Sequence, residues 1–116
     1  MSTFKFESGV KTLDITNDKD EVIKTYRVNV GRKEELQKWS QGLRGLQENL
    51  AKLDRDDPKA FDELETMMKD IINAIVGDWD YLWQLCDHNI FSMAAFAKHL
   101  STFVNDAMKE MYEGLV

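Results

Sequence analysis

The stretch "VIKTYRVNVGRKEELQKW", residues 22–39, changes its periodicity part-way along, and that change decides the fold. Before Gly31 the apolar residues Tyr26, Val28 and Val30 recur at every second position, with Thr25 before them and Arg27 and Asn29 between them. That is the period of a half-buried strand. After Gly31 the apolar residues are Leu36, Trp39, Leu43, Leu46, Leu50 and Leu53, spaced 3, 4, 3, 4 and 3 apart. That is a narrow seam on a helix of about 32–54. Ser40, Gly42, Gln47 and Asn49 flank the seam where a free coiled coil would carry charges, so it docks inside the domain or on a partner. Gly42 and Gly45 each cost helix stability, roughly 1 kcal/mol relative to Ala, and mark either a close backbone approach or a bend.

Upstream, "VKTLDIT" places Leu13 and Ile15 on one face, and "TNDKDE" (16–21) reads as a polar turn. The pair of runs predicts an antiparallel hairpin with one buried face. Phe4 and Phe6 alternate with Thr3, Lys5 and Glu7, which predicts an optional third strand at 3–7.

Downstream, Asp57-Pro58 reads as an N-cap followed by a proline at the first helical position. Phe61, Leu64, Met68, Ile71 and Ile75, widened by Met67, Ile72 and Val76, give the next helix a broad stripe, and Gly77 ends it. A short helix at about 78–87 follows, then a connection "HNIFS" with Ser92 as N-cap, then a helix at about 92–113. That last helix is expected to turn Phe96, Ala97, Leu100, Phe103, Val104, Ala107, Met108 and Met111 inward. The fold class is therefore α+β in a single domain, 1–116: a hairpin region (1–30) followed by a bundle of three to four helices (32–116).

Composition narrows the function. The chain has 116 residues, 43% hydrophobic and 31% charged, as in an ordinary globular domain that buries a core without staples. Fifteen basic residues lie dispersed among twenty-one acidic ones, for a net charge of −6, which disfavours nucleic acid as a partner. No apolar run approaches the ~20 residues that span a bilayer, and the first residues lack a signal-peptide core. The single cysteine fits a reducing compartment, so a cytoplasmic location is expected.

The most chemically loaded stretch is "GDWDYLWQLCDH", residues 77–88, with three aspartates, two tryptophans, the only cysteine and one of two histidines. As a metal or thiol centre it would use Asp80, Cys86 and His88. Asp80, Gln84 and His88 do share a helical face, but Gln84 is a poor ligand for a transition metal. Cys86 and His88 are two apart and do not face each other on a helix. The apolar period explains more: Trp79, Leu82, Trp83 and Cys86 form an amphipathic stripe, with Asp78 capping the helix and Asp80, Gln84 and Asp87 in water. Tyr81 and Leu85 fall off the stripe. No phosphate loop, nucleophile elbow or nicotinamide fingerprint occurs. The reading therefore carries no catalytic residue, no metal and no cofactor. Met108, Met111, Tyr112 and Leu115 continue an apolar stripe into the last helix end, as adaptable binding surfaces do. Together with Trp39, Tyr81 and Leu85 they are the expected partner-binding residues.

The order of elements adds a resemblance. A hairpin leads into helices; a buried helix ends at "IINAIVGD"; "WDYLWQLCDH" follows; and the chain continues as "FSMAAFAKHLSTFVNDAMKEM". This arrangement resembles the small tail assembly chaperones of long-tailed (siphovirus-type) bacteriophages and prophages, with residues 71–104 carrying the motif-like detail. The family shows a Gly-acidic-Gly step where this chain has Gly77-Asp78-Trp79. The resemblance implies a non-enzymatic protein of the bacterial host cytoplasm that binds the tape-measure protein, assists assembly of the tail-tube protein and self-associates as a homo-oligomer. The alternatives are a structural virion component, such as a tail or connector subunit, and the small metal- or thiol-dependent enzyme around Asp80, Cys86 and His88.

Overall fold

The computed structural model describes residues 2–115. Strands β1 (Val10–Thr16) and β2 (Val22–Asn29) form a two-stranded antiparallel sheet, followed by helices α1 (Lys33–Ala51), α2 (Pro58–Ile75), α3 (Trp79–Leu85) and α4 (Ile90–Glu113). This is the α+β order that the change of period at Gly31 predicts.

In the hairpin, Leu13 pairs with Tyr26 and Lys11 with Val28. Leu13, Tyr26, Val28 and Val30 are buried on the helices. Ile15 pairs with Lys24 but Thr16 pairs with Val22, so Ile23 is an extra residue that bulges the sheet beside the turn. Asn17 closes that turn by accepting the Lys19 and Glu21 N–H groups on Oδ1, at 2.9 and 3.0 Å.

The α1 seam docks within the chain. Trp39, Leu43 and Leu46 are buried, and Leu36, Leu50 and Leu53 are half-buried against the same core. Gly42 marks a close approach: a Cβ there would lie 2.7 Å from Ile71 Cδ1 on α2. Gly45 meets nothing within 4 Å. Helix α2 starts as expected, with Asp57 accepting the Lys59 N–H at 3.0 Å and Pro58 in the first turn. It buries Leu64, Met68, Ile71, Ile72 and Ile75. Gly77 then takes φ +74°, the left-handed conformation in which a side chain is strained.

Five expectations change. Residues 3–7 form no strand; Phe4 and Phe6 are exposed and pack only edge-to-face on each other, centroids 4.8 Å apart. Helix α1 ends at Ala51, short of residue 54. Helix α4 begins at Ile90, two residues early, because Asn89 is the cap: its Oδ1 accepts the Phe91 and Ser92 N–H groups at 3.0 and 3.2 Å. Asp78 makes no side-chain cap for α3; the Trp79 N–H is accepted by Asn73 Oδ1 from α2, at 3.0 Å. Met108 and Met111 do not turn inward. Met93, Ala97, Leu100, Val104 and Ala107 are the buried residues of α4, and every described residue after Ala107 is exposed.

The molecule is elongated. Its radius of gyration is 16.3 Å and its extents are 66 × 32 × 19 Å, whereas a compact domain of this length has a radius of roughly 13 Å.

Candidate functional site

The residues of "GDWDYLWQLCDH" are placed by packing. Trp79 and Leu82 are buried, and Trp83 and Cys86 half-buried, which gives the predicted stripe in graded form. Trp79 stacks on Trp83 and Trp83 on His88, each pair with centroids 5.0 Å apart and interplanar angles of 20° and 15°. This ladder of three rings forms because the chain after α3 turns through two left-handed residues, Asp87 (φ 55°) and His88 (φ 57°). The His88 N–H then bonds the Trp83 carbonyl at 2.8 Å, and the Asp87 N–H the Gln84 carbonyl at 3.0 Å. The Cys86 thiol donates to the Trp83 carbonyl at 3.3 Å. Asp80 and His88 lie on the surface. Among the described residues no group of three or more His, Cys, Asp or Glu is gathered closely enough to hold a metal.

Asp78 has a structural use that its position in the sequence concealed. Its Oδ2 accepts the phenol hydrogen of Tyr26 at 2.6 Å, tying β2 to the α2–α3 junction across 52 residues. Burial, first, and then the adjacent Asp78 carboxylate push the Tyr26 phenol well above its ordinary titration range. On the solvent side Lys24 Nζ sits over two rings, 5.9 Å from Tyr26 and 5.5 Å from Tyr81.

The expected partner-binding residues separate into three groups. Trp39 is 5% exposed and belongs to the core, so it is corrected from surface to interior. Tyr81 (39% exposed) and Leu85 (45%) lie at the surface on α3, where Leu85 borders a small cleft with Ile15, Met93 and Phe96. Met108, Met111, Tyr112 and Leu115 are exposed on the projecting end of α4, where Tyr112 reaches 66% and Leu115 84%.

That end carries more than sequence reasoning assigned to it. The N-terminal residues run beside it, so Phe4, Lys5 and Glu7 face Met111, Gly114 and Leu115 across a concavity of about 540 Å³. Lys11 on β1 and Glu110 on α4 bridge its floor at 3.5 Å. Phe4, 79% exposed, is therefore part of the same apolar end, and Phe6, 89% exposed, packs edge-to-face on Phe4. The signal available in the sequence was that Phe4 and Phe6 alternate like a strand with nothing assigned to pair with them. An exposed cluster of flexible methionines and aromatic rings offers adaptable apolar contact.

Comparison of the chain with protein-family models, with curated proteins and with solved structures found no match.

Proposed function

We propose that this protein is a non-enzymatic binding protein of the bacterial cytoplasm, acting as a phage or prophage tail assembly chaperone. In that role it binds the tape-measure protein, keeps it soluble and assists assembly of the tail-tube protein. The observation that carries the reading is the projecting end of α4. Met108, Met111, Tyr112 and Leu115 extend past the last buried residue, Ala107, and are exposed, and Met111 and Leu115 line a concavity with Phe4, Lys5 and Glu7 of the N-terminal arm. A chain that holds these residues in water presents contact surface for an apolar partner, and its net charge of −6 favours solubility of the complex. The resemblance over residues 71–104 supplies the identity of that partner.

Co-expression with the tape-measure protein encoded beside it tests the proposal. The expected result is co-purification and a larger soluble fraction of the tape-measure protein. A tape-measure protein that stays insoluble and does not co-purify would overturn it.

A further inference from the structure

The N-terminal arm, residues 2–8, is anchored at its root. The Gly9 carbonyl accepts the Val30 N–H at 2.8 Å, and Lys11 pairs with Glu110 on α4 at 3.5 Å. The backbones at the root are close enough that a Cβ on Gly9 would lie 2.6 Å from Gly31 Cα. Beyond the root, no residue from Ser2 to Ser8 makes a hydrogen bond or an ion pair among the described residues. A segment fixed at one end and unbonded along its length is free to pivot about that end.

The root lies against the apolar end of α4. Phe4, Lys5 and Glu7 line one side of the concavity there, and Met111, Gly114 and Leu115 the other. Phe4 and Phe6 on the arm, and Met111, Tyr112 and Leu115 at the helix end, are all exposed. The arm is long enough to close the gap. Extended, it reaches up to ~17 Å from Gly9 to Phe4, whereas Glu110 to Leu115 spans roughly 7.5 Å along the helix direction. The floor presents no net charge to the arm, because Lys11 and Glu110 neutralise each other. Apolar groups on two sides of an open gap are drawn together by the hydrophobic effect. Methionine adapts its shape to an aromatic ring laid on it.

We propose that the arm is a strap over the apolar end of α4. It closes on Met111 and Leu115 in the free protein, and an apolar partner displaces it. The closed strap reduces the apolar surface that the free chain shows to water, and the partner binds only the fraction of molecules in which the strap is open. The strap regulates the site on which the proposed function rests, and it depends on that reading only for the identity of the partner.

The test uses the purified protein alone, so its failure is distinct from a failure of the tape-measure proposal. The probe is Nile red, a neutral apolar dye, titrated against wild type and Phe4→Ser/Phe6→Ser. A strap closed at least half of the time leaves the α4 end open at most half of the time, so removing its rings is expected to tighten dye binding at least ~2-fold. Adding Met111→Glu and Tyr112→Glu to that variant should abolish the gain. All four positions are exposed, so an unchanged thermal melt shows that each variant is folded. Dye binding that weakens or stays the same on loss of the two phenylalanines overturns the proposal, because the arm is then a plain part of the contact surface. So does a gain that persists in the quadruple variant. In wild-type protein with isotope-labelled methionine methyls, the Met111 methyl is expected to show a nuclear Overhauser contact to a phenylalanine ring that disappears in Phe4→Ser/Phe6→Ser. Absence of that contact in the wild type equally overturns the strap.

Discussion

Replacing Tyr26 by Phe removes one oxygen and, with it, the hydrogen bond that fastens β2 to Asp78. The bond is 2.6 Å long, its donor is 7% exposed and its acceptor is a half-buried carboxylate. Hydrogen bonds to charged groups contribute about 1.5–3 kcal/mol. Because Asp78 keeps access to water that re-solvates it, the lower end applies, and the variant is expected to lose about 1.5 kcal/mol at pH 7. A 116-residue domain has an unfolding entropy near ~0.24 kcal/mol/K, so the melting temperature should fall by about 6 °C. The pH dependence provides a second reading. The folded phenol titrates above its ordinary value, from burial first and the Asp78 contact second. The contribution of Tyr26 is therefore fully present below about pH 10, where the unfolded phenol titrates, and falls as pH rises beyond it. At pH 10.5 ionisation stabilises the unfolded wild-type chain by about 0.8 kcal/mol, whereas the Phe variant has no such group. The gap between the two proteins should narrow to about 0.7 kcal/mol at that pH. Urea denaturation followed by circular dichroism at pH 7 and pH 10.5 measures both values, and lysine titration common to the two proteins cancels. A loss below about 0.5 kcal/mol at pH 7, or an equal gap at both pH values, would refute the reasoning.

The core and the surface stripe should respond differently to truncation: Leu100→Ala, at a fully buried site, is expected to cost about 2–5 kcal/mol, and Leu85→Ala on the exposed side of α3 under about 0.5 kcal/mol, by thermal unfolding. Asn89→Ala should cost about 1 kcal/mol because its Oδ1 caps two α4 amides, while Ser92→Ala should stay within about 0.5 kcal/mol; a reversed order would move the start of α4. Gly77→Ala forces a side chain into φ +74° and is expected to lower stability by about 1–2 kcal/mol in the same assay.

The elements were legible where periodicity is strong. The switch at Gly31 announced the hairpin and α1, and the broad stripe around Met68 marked α2 as a core helix. The misreadings share a cause, which is that local pattern does not report the tertiary partner. Asp78 looks like a cap because it precedes a helix, yet its carboxylate is claimed by Tyr26, 52 residues away. Trp39 sits on an apolar seam that could face a neighbour or the interior, and only the docking of α1 on α2 and α4 buries it. Asn89 and Ser92 are both good capping residues, and the choice rests on which oxygen reaches the free amides. The arm alternates like a strand, but Gly9 is already committed to Val30, which removes the turn that a third strand requires. At the candidate site, the apolar stripe from Met108 to Leu115 was readable as a continuation of the helix period, but the same period also turned Met108 and Met111 inward, and only the end of the packed core at Ala107 leaves them exposed. The part played by Phe4 and Phe6 was not readable, because it depends on where the arm runs.

The central claim is that the apolar end of α4 holds an apolar partner in solution. The soluble yield of co-expressed tape-measure protein, compared between wild type and Met111→Glu/Tyr112→Glu, tests it most directly. Both positions are exposed, so the double variant should melt within about 2 °C of wild type. The account predicts that the wild-type chain keeps the tape-measure protein soluble and that the double variant, still folded, does not. Equal soluble yield with the two proteins would contradict it.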